Sequence, residues 1–183
     1  MKNKLIFLML FLLFFSSQIF ADEKINICYG YGCLVQTEIV ILKSELKPLI
    51  QRIQNAQNAE EERQKTAEVL GELYKIAGRQ SPIWQDKAGN FNDPPFGKMD
   101  CIDHSTTSDR FLKMLAHHRA FKWHKIAKIQ RRFFLIFPSH YSAAMQNITE
   151  NQIFVFDSWF VEQGEAAVVL PLESWKKGEG RDV

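Results

Sequence analysis

Residues 139–159 read Ser-His-Tyr-Ser-Ala-Ala-Met-Gln-Asn-Ile-Thr-Glu-Asn-Gln-Ile-Phe-Val-Phe-Asp-Ser-Trp. Two runs suited to strands, Tyr141–Gln146 and Ile153–Asp157, flank the polar turn Thr149-Glu150-Asn151. Such a hairpin has a checkable geometry, because side chains alternate between faces with a period of two. A loop at Asn147–Glu150 sets His140 directly opposite Asp157, with Cβ atoms about 4.5–5.5 Å apart. A shift of two residues makes the pair diagonal and still close. A slip of one puts them on opposite faces. Phe154 and Phe156 then point away from His140, into packing.

Upstream, Trp123–Phe137 fits either period; the continuous apolar run Phe133–Phe137 favours strands, and Pro138 ends it. Downstream, Ala166–Leu172 reads as a further strand before Trp175. Cys101, His104, Ser108, Phe111, Leu112 and Leu115 share one side of a helix beginning after Asp100. Before it, residues 78–99 are rich in Gly, Pro and Asn and form a long irregular connection. Two earlier helices are expected: one over Leu46–Ile53 capped by Ser44, with Pro48 in its first turn, the other capped by Asn58 and stopped at Gly78. The second is expected to bury Leu70, Leu73, Tyr74 and Ala77. A short strand over Gln36–Leu42 precedes them. The fold class expected is α+β, with helices packed on an antiparallel sheet.

The chain opens with Lys2 and Lys4, an apolar run Leu5–Phe15, then Ser16, Ser17, Gln18 and Ala21. That is the layout of a cleavable secretory leader over residues 1–21, and the run is shorter than the roughly 20 residues that span a bilayer. The expectation is an exported chain, periplasmic or secreted, with one domain over 22–183 and no membrane span after cleavage. The leader holds two lysines and no acid, so the 23 basic residues fall to 21, equal to the 21 acidic ones. A balanced charge gives no global preference for nucleic acid. Locally the balance fails: Arg110–Thr149 contains no Asp or Glu and eight Lys or Arg. This is either a solvated face and guarded sheet edge or a positive surface for an acidic substrate or partner.

Export sends thiols into an oxidising compartment. Cys28 and Cys33 frame Cys-Tyr-Gly-Tyr-Gly-Cys, whose glycines let the chain fold back far enough for a disulfide. Cys101 is left over, either a buried small hydrophobe or a reactive thiol. At a helix N-terminus unpaired N–H groups favour the thiolate. A nucleophilic cysteine also needs a base and a group to orient that base, and His140 and Asp157 fit those roles.

Asp100-Cys101-Ile102-Asp103-His104-Ser105, with His140 39 residues after Cys101 and Asp157 17 further on, resembles bacterial transglutaminase-like cysteine proteinases of the papain-like superfamily. Met99–Asp103 together with Asp157-Ser158-Trp159-Phe160 is also similar to a group of uncharacterised exported bacterial proteins. The resemblance covers Asp100–Phe160 and implies a Cys101–His140–Asp157 triad acting on a protein or peptide amide in the cell envelope, as hydrolase or acyl transferase. It also implies calcium at Asp100 and Asp103 in some members. Here Ile102 stands where a further acid is common, and calcium wants six to eight oxygens. A non-catalytic envelope binding protein on the same fold is the alternative. A metal site from Asp100, Cys101, Asp103 and His104, or from His117, His118 and His124, lacks a recognised ligand spacing. Trp84, Trp123, Trp159 and Trp175 are read as core or groove walls, and Asn147-Ile148-Thr149 as a turn rather than a glycosylation site.

Overall fold

Ile25 and Ile27 alternate with polar neighbours, and that period builds the first strand. The computed structural model describes residues 21–90, 93–134 and 137–180; the expected leader, apart from Ala21, lies outside them. β1 (Glu23–Tyr29) pairs antiparallel with β2 (Val35–Ile41), Ile25 opposite Ile39. The connection is closed by a Cys28–Cys33 disulfide, as expected. Gly30, Tyr31, Gly32 and Cys33 all have positive φ, between 57° and 82°, so the loop turns left-handed, and Gly30 N donates to the Lys98 carbonyl at 2.8 Å.

α1 (Lys43–Gln54) buries Leu46, Leu49, Ile50 and Ile53. Its cap is Leu42, not Ser44, so Pro48 lies two positions further in than expected, past the first turn. In α2 (Ala59–Gly78) the Asn58 side chain accepts from Glu61 N at 2.9 Å. Its buried face includes Leu70, Leu73, Tyr74 and Ala77, the two leucines contributing about 1.5–3 kcal/mol each by leaving water. Gly71 on that helix is needed for space: a Cβ there would lie 2.6 Å from the Glu165 carbonyl oxygen. A 3-10 turn (Pro82–Gln85) interrupts the long connection to α3 (Cys101–His117).

β3 (His124–Ile126) and β4 (Gln130–Phe134) lie one after the other along one edge of β5 (Phe137–Asn147). β6 (Ile153–Asp157) pairs with the other edge of β5, and β7 (Val168–Pro171) with β6, all antiparallel. α4 (Leu172–Lys176) follows β7 and buries Trp175 completely. The protein is thus α+β, with four α-helices among the described residues. No helix among those residues is long and apolar enough to cross a membrane.

Phe154, Phe156, Ala143 and Met145 enter the main core under α2 and α3. Val155 and Ala144 face a second, smaller core with Phe160, Leu172 and Trp175. That alternation is the expected one, but three details differ. β1 was not anticipated, and β5 runs through Pro138 instead of starting after it. The hairpin register is also two residues away: Ala143 pairs with Phe156 and Gln146 with Ile153. The cause is the turn. Asn147 Oδ1 accepts from Thr149 N and Glu150 N, both at 2.9 Å, and Asn151 takes φ 58°, which lengthens the loop.

Candidate active site

The N-terminus of α3 is held from two directions. Asp100 caps it, with Oδ1 accepting from Ile102 N and Asp103 N at 2.9 Å, and Asp103 Oδ2 returns a bond from Asp100 N at 3.1 Å. The disulfide loop then adds its own amides. Gly32 N donates to Asp100 Oδ2 at 2.9 Å, Tyr31 N to Asp103 Oδ2 at 2.9 Å, and Cys33 N to Asp103 Oδ1 at 2.7 Å. All four carboxylate oxygens are therefore engaged by N–H groups. A calcium ligand must turn its lone pairs to the ion, and here those lone pairs face amide hydrogens. Asp100 and Asp103 are a structural clasp, and the calcium implied by the resemblance does not fit them. Burial pushes the Asp103 carboxyl up to about 6, against the pull of the N–H groups and with the charge of Asp100 adding to the rise.

Cys101 occupies the first position of α3 and is half-buried. Its Sγ lies 3.8 Å from the Ser139 carbonyl oxygen, the residue before His140. Its N–H has no oxygen acceptor among the described residues, because Asp100 serves only the next two amides. Burial pushes the thiol up to about 11. The Tyr141 backbone draws it down, while the Asp100 and Asp157 charges raise it further. This corrects the expectation that the helix start favours the thiolate. Desolvation, first, and the two carboxylates outweigh the lowering by the Tyr141 and Cys101 backbones.

His140 and Asp157 meet as the diagonal pair. His140 Nε2 bonds Asp157 Oδ2 at 2.7 Å. Trp175 Nε1 donates to the same oxygen at 2.8 Å, and Trp159 N to Asp157 Oδ1 at 3.3 Å. Asp157 is 2% exposed and His140 6%. The imidazole is walled by Trp159, Phe160 and Trp175, with centroids 4.9, 5.1 and 5.6 Å away. With Nε2 engaged by Asp157, Nδ1 is the remaining imidazole nitrogen. No hydrogen bond joins Cys101 to His140 in this conformation; their link is the contact at Ser139.

Sequence reasoning missed the layer behind these residues. His104, one turn after Cys101, bonds Asp86 Oδ2 through Nε2 at 2.8 Å and Ser158 Oγ through Nδ1 at 3.0 Å. Asp86 Oδ1 accepts from Asn90 Nδ2 and Met99 N, and the Asn90 carbonyl accepts from Trp159 Nε1 at 3.0 Å. This network ties the long connection, the cysteine helix and the end of β6 into one unit. Its readable signal was His104 on the buried side of α3.

The other histidines do not converge. His118 bonds Glu23, His124 is fully buried against Glu62, and His117 is exposed. No group of three or more metal-ligating side chains converges among the described residues. Trp159 and Trp175 line the site, whereas Trp84 is exposed beyond α2 and Trp123 stacks with Lys122. Comparison with models of known protein families, with curated proteins and with solved structures finds no match to this chain.

Proposed function

We propose that the protein is an exported cysteine-dependent amide hydrolase or acyl transferase with a transglutaminase-like, papain-like domain, acting on a protein or peptide of the cell envelope. The observation that carries this reading is the buried His140–Asp157 bond, walled by aromatic rings, with the carbonyl of the preceding residue, Ser139, 3.8 Å from a thiol at a helix N-terminus. The lysine-led apolar start and the Cys28–Cys33 disulfide are compatible with export.

Starting from a neutral thiol and a neutral imidazole, His140 Nδ1 takes the Cys101 proton as sulfur attacks the amide carbonyl. The developing oxyanion meets the Cys101 N–H. His140 then returns the proton to the departing amine, leaving an acyl-enzyme. Water releases an acid from it, or a second amine takes the acyl group. Asp157 holds the ring orientation and stabilises the imidazolium.

A second reading has its own support. A thiol pushed up to about 11 suits a non-catalytic envelope binding protein on the same fold. The deciding experiment incubates the disulfide-intact protein with a peptide library and an added amine, and follows cleaved or amine-exchanged products by mass spectrometry. The enzyme reading expects products that vanish in Cys101→Ala and His140→Ala. Equal product yield from Cys101→Ala overturns it. So does an absence of products combined with a Cys101 that alkylates only after unfolding.

A further inference from the structure

The acid-free stretch does not act as one surface. Arg132 is buried, its guanidinium donating to the carbonyls of Trp175 and Glu179. Arg110 is spent on the Asn26 carbonyl and Gln36, and Lys113 pairs with Asp109. Arg131 is different. It is exposed on β4, opposite Tyr141 of β5. Its guanidinium lies 3.9 Å from the centre of the Phe133 ring and donates to Ser139 Oγ at 2.6 Å. Ser139 is also the residue whose carbonyl touches the Cys101 sulfur. One residue therefore connects the nucleophile to a cation that is already fixed in plane and position.

We infer that Arg131 binds a carboxylate of the substrate, held next to the amide that Cys101 attacks. Three features lead there. A guanidinium is a planar fork that matches a carboxylate with two parallel bonds, and only one nitrogen of Arg131 is used by Ser139. The stack on Phe133 and the Ser139 bond remove side-chain freedom before any ligand arrives. Finally, the thiol itself sits in a negative field from Asp100 and Asp157. That field repels an anionic substrate unless a cation stands on the approach, and no acid of the described chain pairs with Arg131 to cancel it.

This inference rests on Cys101 being the nucleophile, so its test reads both. Cys101 in the disulfide-intact protein is alkylated with iodoacetate and, separately, with iodoacetamide, and the modified peptide is quantified by mass spectrometry. Sulfur displaces iodide in both cases; the reagents differ in charge. The rate ratio of iodoacetate to iodoacetamide should exceed that of the same cysteine in the unfolded chain. An exposed charge pair is worth a few tenths to about 1 kcal/mol, which changes such a ratio about two- to fivefold, so Arg131→Gln should lower it by about that factor. Arg131→Lys should keep most of it. An unchanged ratio in Arg131→Gln overturns the inference while leaving the nucleophile intact. A folded Cys101 inert to both reagents overturns the nucleophile and this inference together. Iodoacetyl-glycine, with a terminal carboxylate, and iodoacetyl-glutamate α-amide, with a side-chain one, are then compared with their neutral amides. An Arg131-dependent advantage for either identifies the source of the carboxylate, and an advantage for neither counts against the site.

Discussion

Trp175 donates its indole N–H to the same Asp157 oxygen that holds His140, at 2.8 Å against 2.7 Å. One buried oxygen therefore carries two bonds, and the small second core around Trp175 is continuous with the site. Asp157→Asn keeps the shape but gives that position an amide that can force the wrong imidazole tautomer. It should cut turnover of any substrate found by about 10²- to 10⁴-fold with little loss of secondary structure by circular dichroism. Trp175→Phe should destabilise the fold by about 2–3 kcal/mol in urea unfolding, the usual cost of losing a buried bond to a charged group.

The thiol chemistry can be read without a substrate. With its proton held up to about 11, Cys101 should react with iodoacetamide ever faster as pH rises, with no plateau between pH 6 and 9. A plateau near neutrality would show a resting thiolate–imidazolium pair instead, and would contradict the proton assignment made for this conformation.

Asp103 gives a stability signature. Its folded carboxyl titrates at about 6, above the roughly 3.9 of an unfolded aspartate. Between those values the folded chain binds more protons than the unfolded one, so stability should fall as pH rises from about 4 to 6. Urea midpoints across that range should show a downward contribution that Asp103→Asn lacks, whatever the absolute stability of that variant. Equal slopes in the two proteins would refute it.

The disulfide should matter more than its short loop suggests. Closing so few residues is worth about 2 kcal/mol by chain entropy. Here the same loop delivers the Tyr31, Gly32 and Cys33 amides to Asp103 and Asp100. Reduction, or Cys28→Ala with Cys33→Ala, should lower the melting temperature by several degrees and loosen the start of α3, seen as faster amide exchange at Ile102 and Asp103. Unaltered exchange there would separate the disulfide from the cap.

Gly71→Ala is the steric counterpart. The new methyl would meet the Glu165 carbonyl at 2.6 Å, so α2 or the segment before β7 must move, at about 1–3 kcal/mol. Thermal unfolding should register the loss even though alanine is the better helix former.

Local features were readable from the chain because their causes are local. Asn58 caps α2 as its side chain and position require, and Asp100 marks the start of α3. The parity rule put His140 and Asp157 on one face, and that survived a two-residue error in the turn because two is the strand period. The error came from Asn147 and Asn151, whose lengthening of the loop depends on a side-chain bond and a left-handed residue. The β1 strand was readable from Ile25 and Ile27, and the hairpin with β2 is what presents the cysteine loop to Asp100. The state of the thiol was not readable at all. It is set first by burial, and then by the adjacent Asp100 together with Asp157, 56 positions away in the chain; the His104–Asp86–Ser158 network likewise joins distant segments.

The clasp between the Cys28–Cys33 loop and the two aspartates also limits how the chain can be cut. Residues 100–160 hold Cys101, His140 and Asp157, yet the amides that fasten Asp100 and Asp103 from outside come from residues 31–33. An excised fragment bearing all three groups would leave Cys101 on a fraying helix end. The minimal unit worth expressing is therefore defined by the anchorage of the helix rather than by the span from Cys101 to Asp157, and it includes β1.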